Sequence, residues 1–174
     1  MHVTTLTASD ADRYRELMLH AYESAADAFT STAEERAAQP KAWWEKRIAD
    51  ASGMSVALGA FQATELVGTV ALEFSSKPKT RHKAHLLGMF VHERARGLGA
   101  GAALLRAALL EASARLHVRV VTLTVTLGNE PAIRLYESAG FQTFGVEPLA
   151  ISTPSGFKSK VHMWLELPRG GAVA

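Results

Sequence analysis

Hydrophobic and polar positions alternate along this chain in blocks of different period. His2 to Leu6 reads as a short strand, and Thr7-Ala8-Ser9-Asp10 supplies capping residues for a helix from about Ala11 to Ala26. Within it Tyr14, Leu17, Met18, Ala21 and Ala25 form one apolar stripe. A loop over Asp27 to Thr32 leads to a second helical region ending near Ile48, and Ala51-Ser52-Gly53 marks a turn. From Met54 the period shortens. Met54 to Gln62 and Leu66 to Phe74 predict a hairpin about Ala63-Thr64-Glu65. After a polar loop, Ser75 to Lys83, the apolar run His85 to Val91 predicts a buried strand.

A glycine-rich stretch then opens a helix, Ala100 to Leu116, with Leu104, Leu105, Ala108 and Ala112 on its apolar face and a Glu111–Arg115 pair outside. Val120 to Thr126 alternates with period two and predicts a strand. The next helix has Asn129 as cap, Pro131 in its first turn and Gly140 at its end. Phe141 to Val146 and Phe157 to Leu167 predict two final strands about a Pro154-Ser155-Gly156 turn. Residues 168 to 174 are expected to be a flexible tail. The order β-α-α-β-β-β-α-β-α-β-β gives an α/β mixed sheet with helices on both faces and one right-handed parallel crossover. No repeat or linker divides residues 1 to 167, which are expected to form a single domain.

Composition narrows the chemistry. The 174 residues contain no cysteine, which excludes disulfides, thiolate metal sites and an acyl-cysteine intermediate. The net charge is +2, and no Lys/Arg run reaches the length of a nucleic-acid tail. No apolar run approaches twenty residues and no secretory pattern opens the chain, so neither membrane nor nucleic acid is an expected partner and the location is expected to be cytoplasmic. No His/carboxylate spacing points to a metal.

The stretch Arg96-Gly97-Leu98-Gly99-Ala100-Gly101-Ala102 joins a strand to a helix. Glycines there permit positive φ and close approach, and the first-turn N–H groups form an anion site. A P-loop needs Gly-Lys-Ser/Thr, which is absent. The dinucleotide fingerprint is met by Gly97, Gly99 and Ala102, but on an inner strand and with no acid at the required distance. The third pattern, Arg-x-x-Gly-x-Gly, is met by Arg96, Gly99 and Gly101.

On that loop, on Gly88-Met89-Phe90-Val91 before it, and on the segment Gly128-Asn129-Glu130-Pro131-Ala132-Ile133-Arg134-Leu135-Tyr136-Glu137-Ser138-Ala139-Gly140-Phe141, the chain resembles the GNAT superfamily of acetyl-CoA-dependent N-acetyltransferases. The resemblance covers about residues 1 to 167 and departs from the commoner pattern at Glu93, where proline is frequent. It implies a sheet splayed between its fourth and fifth strands and acetyl-CoA as acyl donor. It implies that the amides of Arg96 to Ala102 hold the pyrophosphate, that the backbone of Met89, Phe90 and Val91 pairs with the pantetheine arm, and that Asn129 contacts the donor near the splay. Tyr136 matches the position that protonates the departing sulfur. A strand N–H near Met89 to Val91 is the expected oxyanion donor, with direct attack by the amine. Glu73 is the expected general base, with His85, His92 and His162 as alternatives.

The first helices of the superfamily shape the acceptor pocket, which brings in Phe29 as a substrate contact, with Trp43 and Trp44 either beside it or in the core. Only Glu34-Glu35 forms an acidic pair, which disfavours polycationic acceptors. A protein N-terminus, an amino acid or another small amine stay open, as do a non-catalytic acyl-CoA-binding role, another acyl-CoA donor and a homodimer.

Overall fold

The structure, a computed structural model, describes residues 1 to 168; the expected tail, apart from Pro168, lies outside the described residues. The elements in chain order are β1 (His2–Thr5), α1 (Ala11–Ser24), α2 (Ala33–Ala37), α3 (Lys41–Ile48), β2 (Ser55–Gln62), β3 (Glu65–Phe74), β4 (Lys83–Val91), α4 (Ala100–Ser113), β5 (Val120–Thr126), α5 (Glu130–Ser138), β6 (Gln142–Thr153) and β7 (Gly156–Glu166). The strands form one seven-stranded sheet in the order β1-β2-β3-β4-β5-β7-β6. Only β4 and β5 run parallel, because α4 carries the chain between them; the other neighbours are antiparallel.

The sheet is covered on two faces. Leu104, Leu105, Ala108 and Ala112 of α4 are at most 2% exposed and pack with Leu72, Leu86 and Leu123 of the strands. The stripe Tyr14, Leu17, Met18 and Ala21 of α1 packs with Trp44 and Ile48 of α3 on Ala57, Phe61 and Phe90. Alternation along each strand therefore sends neighbouring residues to different helical layers.

Three boundaries differ from the expectation, each for a local reason. The second helical region is two helices. Thr32 opens α2 with a reciprocal box, its Oγ1 accepting from Glu35 N–H while Glu35 bonds back, and Pro40 caps α3. The helix α4 stops at Ser113 instead of Leu116, which is 93% exposed and has no core to bury against. Strand β6 runs on to Thr153, with its pairing to β7 interrupted between Glu147 and Ile151 around Pro148 and the left-handed Leu149.

The position that matters for function is the middle of the sheet. Parallel pairing of β4 with β5 runs only from Lys83↔Val120 to Leu86↔Leu123. Immediately beyond, β4 bulges: Val70 of β3 faces two residues, Gly88 and Met89, and Gly88 takes φ +63°, a conformation that glycine adopts without a Cβ penalty. The strands diverge past this point, so the sheet is split between β4 and β5 as expected. No helix among the described residues is long and apolar enough to cross a membrane.

Candidate active site

Two cavities meet at the split. The larger, about 600 Å³, runs from the end of β4 along the glycine loop to the start of α5. The smaller, about 300 Å³, lies between β4, β5 and the helices α1 to α3. Ala28, Phe29, Met89, Asn129 and Ala132 line both.

The larger cavity is made mostly of backbone. Gly99 caps α4 with φ +83°, which turns the chain so that the first-turn amides face outward. No backbone carbonyl accepts from the N–H groups of Gly97 through Ala102, and the first bond back into the loop is Ala103 N–H to Gly99 O at 3.0 Å. These free donors at a helix N-terminus suit a polyanion. Arg96 is anchored beside them, its Nε donating to Val91 O at 3.1 Å and its guanidinium 3.3 Å from Glu93. Every expected donor-side residue lines this cavity except Leu98, whose side chain is 59% exposed and turned away. The β5-facing edge of β4 from Leu87 to Val91 has no strand partner, which leaves it open to pairing with an extended ligand.

Asn129 holds the far wall. Its Oδ1 accepts from Ala132 N–H at 3.4 Å and its own N–H donates to Thr126 O at 3.0 Å, so it caps α5 at the lip of the gap. Thr126 Oγ1 in turn donates to Asp27 O at 2.6 Å, and Lys158 pairs with the Asp27 carboxylate. These contacts tie the segment between α1 and α2 to the end of β5. Phe29 is thereby set over the gap, edge-on to Tyr22 at 5.0 Å.

Tyr136 lines the smaller cavity from α5 and is 5% exposed, packed edge-on against Phe141. Burial pushes its hydroxyl up to about 12, so the proton stays on at neutral pH. Glu73, expected as base, is exposed and does not line the cavity. It stands opposite His85 in the β3–β4 register, and it is His85 that reaches the wall. Burial holds His85 below its ordinary value, against the opposing pull of the Glu73 charge. Thr122 Oγ1 donates to Ala84 O at 3.4 Å and lies 3.0 Å from His85 Nδ1. In the tautomer that donates Nδ1–H to this hydroxyl, the lone pair of the neutral ring is on Nε2. His162, another alternative, bonds Glu147 at 2.8 Å and lies outside both cavities.

Two arrangements were not legible in the sequence. Arg36 and Arg47, from separate helices and both in the wall of the smaller cavity, converge on Trp43 behind that wall, while Trp44 is core at 0% exposure. Between α1 and the end of β4, His20, His92 and Glu93 bring their ligand-type atoms within 4.8 Å of one another. His20 Nε2 donates to Glu93 Oε2 at 2.8 Å, and the two imidazoles stack at 4.5 Å. That hydrogen bond is the leading reason the Glu93 carboxyl sits at about 2. Glu93 thus latches α1 to the glycine loop through Arg96, a role that its sequence position did not suggest.

Comparison with known proteins gives this geometry a family. The model of the acetyltransferase (GNAT) family matches residues 18 to 141. The chain belongs to the GNAT acetyltransferase family. Among curated proteins it is 29% identical over 102 residues to the L-amino acid N-acetyltransferase AaaT of Escherichia coli, a match over 59% of this chain. The chain spans about three fifths of that relative's length, 62%. The fold matches a putative acetyltransferase of Salmonella typhimurium solved with its cofactor acetyl-CoA, with TM-score 0.79, 22% identity and coverage of 100% of this chain and 98% of the other. It also matches a ribosomal-protein-alanine N-acetyltransferase of Brucella melitensis, with TM-score 0.79, 24% identity and coverage of 96% and 100%. This GNAT fold is the mixed sheet expected from the order of elements, with the split that the family resemblance implied.

Proposed function

We propose that residues 1 to 167 act as one N-acetyltransferase unit that moves the acetyl group of acetyl-CoA to a small primary amine by direct attack. The observation that carries this reading is the meeting of the two cavities at the open edge of β4, with Met89 and Asn129 common to both. The acyl-CoA fit rests on residues of this chain: unpaired amides from Gly97 to Ala102, the anchored Arg96 and the free edge of β4. Acetyl-CoA, when bound there, supplies a thioester activated for acyl transfer.

The chain's own groups do the rest. Phe29 and the buried floor orient the amine and exclude water. His85 Nε2 takes a proton from the amine, directly or through one water, and Glu73 sits close enough to stabilise the imidazolium. A strand N–H in Met89 to Val91 stabilises the charge that develops on the acetyl oxygen. The N–C bond forms as the C–S bond breaks, and the Tyr136 hydroxyl gives its proton to the sulfur. The absence of cysteine supports a single direct step over an acyl-cysteine relay.

Thiol release from acetyl-CoA, scanned over amines and amino acids with wild type and Tyr136→Phe side by side, tests the proposal. Turnover with one acceptor class, slowed in the variant while acetyl-CoA binding is kept, is the expected result. Binding of acetyl-CoA with no turnover on a broad panel contradicts the transferase reading and favours a binding module. Faster release from succinyl- or propionyl-CoA contradicts the choice of donor.

A further inference from the structure

Acyl transfer needs a hydrophobic seat and a base in the acceptor cavity, but this cavity carries more. Its wall holds Arg36 of α2, Arg47 of α3 and Lys160 of β7 beside His85, and no aspartate or glutamate. Both guanidiniums rest on the Trp43 ring, their central carbons 4.7 and 5.2 Å from its centroid. That contact uses the charge through the aromatic face and leaves the in-plane N–H donors available. One Arg36 terminal nitrogen donates to Ser31 Oγ at 2.6 Å. The Nε of Arg36 and the Nε of Arg47 are buried and make no hydrogen bond. None of the ion pairs among the described residues includes either arginine.

The neighbouring groups supply no anion to either guanidinium. The Tyr14 hydroxyl hydrogen-bonds Arg47 but is buried and kept protonated, so it offers a neutral oxygen and no charge, and Glu73, whose charge reaches Arg47, is exposed and outside the wall. Buried guanidinium donors without an anion are unfavourable, and their planar fork matches a carboxylate better than any other common group. The volume of about 300 Å³ lies at the small end of ligand pockets, too small for a folded partner. An amine carried on a polyamine or on a second basic group would meet like charge there.

We propose that Arg36 and Arg47, held by Trp43, form a carboxylate subsite in the acceptor cavity, so that the acceptor is a small primary amine bearing a free carboxylate, the chemistry of an amino acid. This rests on the N-acetyltransferase reading and adds the group that selects the acceptor. Arg36 and Arg47 are positioning residues: they grip the acid while His85 and the open β4 edge meet the amine.

The test uses matched acceptors on the full chain: a set of L-amino acids, the carboxamide of each, and the amine that lacks the carboxyl group. kcat/KM is read by thiol release for wild type, Arg36→Gln, Arg47→Gln and Arg47→Lys, with acetyl-CoA affinity by calorimetry as the check on folding. In wild type the acid is expected to exceed its amide by about tenfold or more, the scale of a charge-assisted pair. Each Gln variant should collapse that ratio toward parity through acceptor KM, with acetyl-CoA affinity unchanged, and Arg47→Lys should fall between. Amides that react as well as acids in wild type overturn the subsite and leave the transferase reading standing. A ratio that survives in both Gln variants overturns the assignment to these arginines. A set in which no amine reacts removes the transferase reading and the subsite with it. The wild-type ratio decides even where a variant folds poorly.

Discussion

The two sides of the split sheet are built from different materials. The side proposed for the donor, from Met89 through the loop to the first turn of α4, is backbone: unpaired amides, a left-handed Gly99 and an open strand edge. The smaller cavity, proposed for the acceptor, presents side chains: Phe29, Arg36, Arg47, His85 and Tyr136, gathered from α2, α3, β4, α5 and the segment after α1. A ligand made of phosphates and an amide-rich arm can be read by backbone alone, which any chain of the right glycine spacing provides. A variable acceptor must be read by side chains, which change without disturbing the fold.

The sharpest way to break this contrast is on the donor side. Gly99→Val puts a β-branched residue at φ +83°, where L side chains are strained, and turns the loop amides away. Acetyl-CoA affinity by calorimetry should fall about a hundredfold, equivalent to about 2.7 kcal/mol, with acceptor preference unchanged in the residual activity. On the acceptor side, His85→Gln should lower kcat/KM by about a hundredfold with acetyl-CoA affinity kept. The pH profile sharpens the assignment. Because the folded pKa of His85 is depressed, the wild-type base is still neutral below the ordinary histidine value near 6.5, and activity should fall only as pH drops through that lowered value. The variant should lose this histidine limb; an unchanged limb contradicts His85 as base.

Tyr136→Phe should cost less, about ten- to a hundredfold in kcat, because a thiolate with a reference pKa of about 8.5 leaves tolerably without help. The smallest effect is at the seam. Glu93→Gln removes the anion that joins His20 to Arg96. The folded pKa of Glu93, about 2, lies below its unfolded value, so its contribution is present above about pH 4.5 and is lost as pH falls toward 2. The group is exposed, so the Tm difference from wild type should be on the order of 1 °C at neutral pH and vanish in acid.

The same contrast explains what the sequence disclosed. The apolar face of α4, the cap and stop of α5, and the glycine loop are local in the chain, so period and spacing revealed them. The split between β4 and β5 followed from the family pattern, and the Gly88 bulge lies at its origin. What stayed hidden depends on distance in sequence folding into contact. Arg36 and Arg47 are in different helices and meet only on Trp43. Glu73 carried the right chemistry for a base, but strand pairing puts it outside the cavity and opposite His85, whose ring lines it. His20 and Glu93 are 73 residues apart, and no spacing rule joins them. The break of the second helical region at Pro40 was readable; the length of β6 was not, because Pro148 and Leu149 interrupt a ladder that resumes at Ile151.

Two-substrate kinetics test the central claim most directly. Initial rates of thiol release are measured with acetyl-CoA and the best acceptor both varied, in wild type, Gly99→Val and Arg47→Gln. Donor and acceptor sides that meet at one gap but are built separately predict intersecting lines in wild type, a raised KM for acetyl-CoA alone in Gly99→Val, and a raised KM for the acceptor alone in Arg47→Gln. Parallel lines contradict direct attack in a ternary complex, and a Gly99 variant with unaltered acetyl-CoA dependence contradicts the loop from Arg96 to Ala102 as the donor site.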